Sequence, residues 1–258
     1  MGKFKSNVLT RFFTCVLFLT LISIIVVPEH IKAQDKRQNW VEVVWRRLTT
    51  RPKRKQRPAT VSKGGGNRDL CPDTSEKLIA LVPFAEKTEV PYVEQTISAH
   101  PTFRFYIPYT PTLGLKAEFL LKDVEENLVY KNKFALKATP GIVNVTLPKR
   151  EYDLKVGEQY RWVFSIICNP ANRSADNTVN GWIKRTSTSE VLPKNPATVS
   201  EKERLRLYAD SLLWFDMMDT LLSLKRTYPK EAEFKTTWEV LLKKIGLSDE
   251  AISRDANP

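Results

Sequence analysis

Residues 160–168 read YRWVFSIIC. Tyr160, Trp162, Phe164 and Ile166 occupy every second position, so an extended chain carries all four on one face. The turn Val156-Gly157-Glu158 precedes the run, which ends on a cysteine. Outward from this strand the same period recurs. Ile142–Leu147 follows the turn Thr139-Pro140-Gly141. Leu128–Lys133 follows the acidic turn Glu125-Glu126-Asn127 and pairs as a hairpin with Leu115–Lys122, whose Ala117, Phe119 and Leu121 share a face. Thr102–Ile107 alternates Phe103, Phe105 and Ile107 with Thr102, Arg104 and Tyr106. Leu78–Pro83 is a compact apolar run, and Val179–Thr186 surrounds Trp182. Short alternating strands with no helix between them predict an antiparallel β-sandwich of immunoglobulin type over residues 71–197. The Cys…Trp…Cys spacing of antibody domains is absent.

Period two stops near Pro193. Ser200-Glu201-Lys202-Glu203 is a capping box. Beyond it Leu205, Tyr208, Ala209 and Leu212 fall on one helical face. A second helix is expected over Trp214–Arg226, ending before Pro229. A third runs over Lys230–Lys244 and stops at Gly246, a C-terminal cap residue. Tyr208, Trp214 and Pro229 stand at tetratricopeptide spacing, while Met217 and Leu224 hold that motif's small-residue positions. Residues 198–247 are therefore expected to form one tetratricopeptide-like hairpin plus a closing helix. Trp214, Phe215, Met217, Met218 and Trp238 carry more apolar surface than three short helices hide among themselves, so the helices should dock on the sandwich. Residues 248–258 are expected to be a disordered tail.

The N-terminus has a different composition. Lys3, Lys5 and Arg11 precede the sixteen-residue run FFTCVLFLTLISIIVV at 12–27, and a polar exit ends at Ala33. This order is that of a secretory signal peptide over residues 1–33, and it places the chain in the periplasm or cell envelope. A retained signal anchor is the competing reading, with the same location. Between Asp35 and Arg68 there are eleven basic residues against two acidic ones; from Asp69 onward the numbers are 26 and 26. The chain's net charge of +12 thus resides in the N-terminal part. Residues 34–70 read as a basic flexible tether with a hinge at Gly64-Gly65-Gly66. An apolar patch, Trp40–Trp45, interrupts it; this is either a short helix on the membrane or the body, or a transient cluster. Arg51, Lys53, Arg54, Lys55 and Arg57 are candidates for binding an anionic membrane surface or an acidic polysaccharide; the other reading is a solvated linker. No base-stacking motif accompanies them, which argues against nucleic acid. Cys15 lies inside the signal core. Cys71 and Cys168 remain, either bridged in an oxidising compartment or both free.

The landmarks Cys71-Pro72, Ala80–Pro83, Pro101–Tyr109, Thr139–Val143, Val156-Gly157, Tyr160–Trp162, Cys168–Pro170, Arg173-Ser174, Gly181–Ile183 and Leu207–Ala209 stand out together. In combination they resemble the proteins grouped as domain of unknown function 928, over about residues 64–247. The resemblance implies an exported cyanobacterial envelope protein. It implies no activity and no catalytic residues.

Chemistry-bearing patterns are sparse. His100 is the one histidine after residue 33, so a triad or a histidine-rich metal site would have to use it. The glycine triplet lacks the Lys-Ser/Thr of a phosphate loop. No cofactor, metal or catalytic set is expected. Arg173, in the loop CNPANRSA, either binds a partner carboxylate or sugar or holds its own loop. Arg173, Tyr208, Trp214 and Trp238 are the candidate partner-binding residues, the last three through a helical groove presented to a protein partner. The expected function is a non-enzymatic interaction scaffold of the envelope. The alternative is a polysaccharide-binding or polysaccharide-cleaving envelope protein, which requires exposed aromatics among Tyr106, Tyr109 and Trp182.

Overall fold

The computed structural model describes residues 40–50, 71–83 and 93–255. The expected signal peptide and the run Arg51–Arg57 lie outside these residues. In chain order the elements are α1 (40–49), β1 (Ile79–Ala80), β2 (Val93–Thr96), β3 (Thr102–Ile107), β4 (Lys116–Lys122), β5 (Leu128–Ala135), β6 (Gly141–Thr146), β7 (Gln159–Ile167), β8 (Asn177–Arg185), α2 (Thr188–Val191), α3 (Glu201–Asp210), α4 (Trp214–Thr227), α5 (Ala232–Ile245) and α6 (Asp249–Asp255).

Two mostly antiparallel sheets face each other, of three strands in the order β1-β3-β6 and of five in the order β2-β8-β7-β4-β5. The one parallel pair is β2 with β8. The alternation read from the sequence is what builds the core between them. Phe105 stacks on Phe164 at 3.9 Å between ring centroids, and Phe103 meets Phe119 at 4.8 Å and Trp162 at 6.1 Å. Cys71 and Cys168 form a disulfide with 5.0 Å between Cα atoms, tying the chain ahead of β1 to the end of β7.

The helices form a third layer. In β3 both faces are buried, because the row Arg104 and Tyr106 lies beneath helices. Arg104 pairs with Asp219 of α4. Phe215 of α4 inserts beside Phe103, with ring centroids at 5.2 Å. The Trp214 indole N–H donates to the Leu81 carbonyl at 2.8 Å. Helix α3 begins as its capping box requires, with the Glu203 N–H donating to Ser200 Oγ at 3.2 Å. Gly246 ends α5 at φ 97°, a left-handed conformation that glycine adopts without steric cost.

Two sequence expectations change and one open reading is decided. Of the readings of the apolar patch Trp40–Trp45 within the expected tether, the helix on the body holds: 40–49 is a helix built into the core. Val41, Val44 and Leu48, spaced three and four apart, are 2%, 3% and 1% exposed. Trp45 packs edge-on against Trp214 at 6.1 Å, and Glu42 pairs with Lys244. The tail is not disordered through 255, because Ala251 and Ile252 of α6 are buried. Strand β2 was not expected. Its four residues hold a single large aliphatic side chain, and its position comes from pairing with β8 and from α4 packed against it.

Asp216 of α4 is buried against the end of β2. Its Oδ2 accepts from the Ile97 N–H at 3.3 Å, and the Thr96 hydroxyl also bonds it. Burial, reinforced by the nearby Asp219 charge, outweighs these bonds and pushes its pKa from 3.8 up to about 7. Tyr208 faces the same carboxyl. A folded-state value above the unfolded one means that the folded protein holds the proton more tightly. Stability from this group is therefore complete below about pH 4 and is lost as pH rises to about 7, by on the order of 4 kcal/mol.

Asp216→Asn should remove that slope and melt higher than the native protein at pH 8; thermal unfolding from pH 4 to 8 measures both, and an unchanged slope would exclude the assignment. Leu48→Ala should cost about 2–5 kcal/mol in urea unfolding of the whole body. A tether residue would cost nothing.

Candidate functional site

The outer face of the five-stranded sheet follows from register. Ala117, Phe119 and Leu121 of β4 point inward, so Lys116, Glu118, Leu120 and Lys122 point outward. Ser165 of β7 lies opposite Glu118 on one side, and Lys133 of β5 on the other. Trp162 and Tyr160 point inward, which leaves Arg161 outward and opposite Lys122.

Glu118 is the centre of this face. Its side chain is 5% exposed, so its charge requires partners. Oε1 accepts from Arg173 Nη2 at 2.7 Å, and Oε2 lies 2.9 Å from Lys131 Nζ. Burial pushes the carboxyl up, but the bonds from Arg173 and Lys131 outweigh it and hold it below the ordinary glutamate range. Arg173 is also held by Asp176, with Nε donating to Oδ2 at 2.6 Å. These two carboxylates, Glu118 foremost, raise the guanidinium pKa against the effect of burial. The loop that carries Arg173 is shaped locally. Asn172 Oδ1 accepts from the Ser174 N–H at 3.3 Å and starts the 3-10 turn Arg173–Ala175, and the Cys71–Cys168 bridge anchors the loop's first residue.

Of the sequence-predicted partner-binding residues, only Arg173 reaches solvent. Its side chain is 44% exposed. Tyr208, Trp214 and Trp238 are buried, so the proposed helical groove is corrected: their rings supply the hydrophobic core that joins helices to sheets. The reason is coverage. Trp214 is covered by Leu81 at the sheet edge and by Trp45 of α1, and Tyr208 and Trp238 lie in the same buried cluster. Tyr106, Tyr109 and Trp182 are buried as well and form no exposed aromatic strip. His100 bonds Asp153 through Nε2 at 2.5 Å in a loop, and among the described residues no serine or cysteine completes that pair. Sequence reasoning did not single out Glu118 as a site residue. The signal available was its position two residues before Leu120, on the face of a strand whose neighbours carry lysines.

Arg173→Ala should destabilise the protein by about 1–3 kcal/mol, since Glu118 then keeps one partner while remaining buried. Adding Glu118→Gln should recover most of that loss in urea unfolding, which a purely local loop effect would not allow. Reduction of the disulfide, which spans a separation of 97 residues, should cost up to roughly 4.7 kcal/mol in the same assay.

Among the described residues no helix is long and apolar enough to cross a membrane. Comparison with curated proteins finds no match. Residues 63–254 match the family described as Domain of Unknown Function (DUF928). That span takes in both sheets, the disulfide, the Arg173 loop and helices α2 to α6, leaving α1 outside it, and this chain belongs to that family.

Proposed function

We propose that the chain is an exported, non-enzymatic interaction protein of the periplasm or cell envelope, in a cyanobacterial host, and that its working surface is the outer sheet face rather than the helices. The observation that carries this reading is the state of Glu118. A carboxyl held in its charged form by two cations is a structural counter-ion, and a general acid needs the opposite shift. Around it Lys116, Lys131 and Lys133 are exposed, which suits binding. The same observation weighs against the polysaccharide-cleaving alternative. The export part of the reading rests on the order of basic, apolar and polar segments before Ala33.

Within this proposal the two sheets are read as immunoglobulin-like, supported by the disulfide that closes on the strand carrying Trp162. The pair α3 and α4 is read as a tetratricopeptide-like hairpin, supported by their mutual packing. Its role is to brace the sandwich. The basic segment 51–57 would hold the body near an anionic surface.

A photo-cross-linking amino acid at exposed position 174 should capture one discrete envelope component, and the same group at Lys235 on α5 should not. N-terminal sequencing of the periplasmic form should begin at Gln34. Turnover of a wall polymer that is abolished by Glu118→Gln while binding persists would overturn the non-enzymatic reading.

A further inference from the structure

We infer that β5, the edge of the five-stranded sheet, takes an extended peptide of a partner protein as an added antiparallel strand, and that this peptide alternates acidic with apolar residues. This rests on the reading of the chain as an interaction protein and names the chemistry of its partner.

The register decides which backbone groups the edge offers. The Leu136 N–H donates to the Leu115 carbonyl at 3.4 Å. In an antiparallel ladder, hydrogen-bonded pairs alternate with unbonded ones. Phe134, Asn132 and Tyr130, opposite Ala117, Phe119 and Leu121, are therefore the residues that bond to β4. The N–H and C=O groups of Lys131, Lys133 and Ala135 point the other way, and no further strand lies beside them among the described residues. A peptide that adds to a sheet edge draws its affinity from such groups and its specificity from the side chains between them.

Those side chains set the partner's sequence. A residue of the added strand directly opposite Lys131 or Lys133 shares the outer face with that lysine, where opposite charges attract. Both lysines are exposed. Lys133 makes no ion pair among the described residues, and Lys131 pairs with Glu118. Lys116, opposite Ala135, and Lys137, just past the strand, are further exposed cations. The residues between the acids fall on the inner face, beside Tyr130 and Phe134. Both rings are half-buried and continue the core, Tyr130 at 6.3 Å from Phe119 and Phe134 at 6.4 Å from Phe164. Apolar side chains laid there would bury more of both rings. The chain's own acids gather toward the other end of β5: Asp123, Glu125 and Glu126 before Leu128, and Glu151, whose charge acts on Tyr130. The acidic stretch of the partner therefore belongs along residues 131–137. The chain's own run Arg51–Arg57 carries the wrong charge for that place.

The test uses the full-length chain and a fluorescent peptide, Val-Glu-Val-Glu-Val-Glu-Val, with binding read by anisotropy. This peptide should bind, and its counterpart with lysine in place of glutamate should not. N-methylation of the glutamate amides should abolish binding, because in the antiparallel register those N–H groups face Lys131 and Lys133; N-methylation of the valine amides should leave it intact. Lys133→Glu should weaken binding by about tenfold and admit the lysine peptide. Lys133→Pro removes an edge donor that makes no bond to β4, so it should abolish binding while the melting temperature holds. Neutralising Arg51, Lys53, Arg54, Lys55 and Arg57 together should change nothing. The inference fails if neither peptide binds, if binding survives N-methylation of the glutamates, or if it is lost with the basic segment and untouched by Lys133→Glu. Dimerisation of the native protein that Lys133→Pro abolishes would assign the edge to a second copy instead. Capture from position 174 decides the interaction reading separately.

Discussion

The indole of Trp214 is the joint on which the layers depend. Leu81 lies just past β1, and its N–H donates to the Arg104 carbonyl at 2.8 Å, continuing the sheet. Its own carbonyl turns the other way and accepts from Trp214. A buried indole N–H without a partner, or a buried carbonyl without a donor, costs more than either bond contributes. The sheet edge and the helix therefore satisfy each other. The ring then offers its far side to Trp45 of α1, so one side chain connects strand, helix and N-terminal helix. Phe215, the next residue, enters the space between the sheets beside Phe103. Helices and sheets share one core, and neither has an apolar face to spare.

Much of this was legible in the sequence, and the reasons are physical. Strands that bury one face must alternate, and the sequences of β4 and β7 do; β3 alternates too, although helices cover its second face. Ser200 and Gly246 mark helix ends because orphan backbone groups need caps, and both helices end there. The expectation that the helices dock on the sandwich followed from area alone. What escaped was whatever depends on a partner distant in sequence. β2 has no amphipathic signature because its place is set by β8 on one side and α4 on the other. The residues of α1 left a short helix and a transient cluster both open, because what buries Val41, Val44 and Leu48 lies far along the chain. Tyr208, Trp214 and Trp238 looked like the lining of a groove, yet aromatics on three neighbouring helices become core when the helices close on one another and on another layer. Glu118 and Arg173 stand 55 positions apart, and Asp216 meets a backbone amide 119 positions away. No local pattern announces such pairs.

The five-stranded sheet ends in two unlike edges. At one, β2 is short, runs parallel to its neighbour and is shielded by α4. At the other, β5 is eight residues long and has no further strand beside it among the described residues. Such an edge is a template for pairing with another chain. Lys131 and Lys133 stand on it in consecutive outward positions, so two copies laid edge to edge would bring like charges together. Those charges oppose polymerisation of the molecule through its own strands. Where local concentration is high, the repulsion acts as a colloidal safeguard, so substitutions at Lys131 and Lys133 would be felt in solubility as well as in the Glu118 pairing.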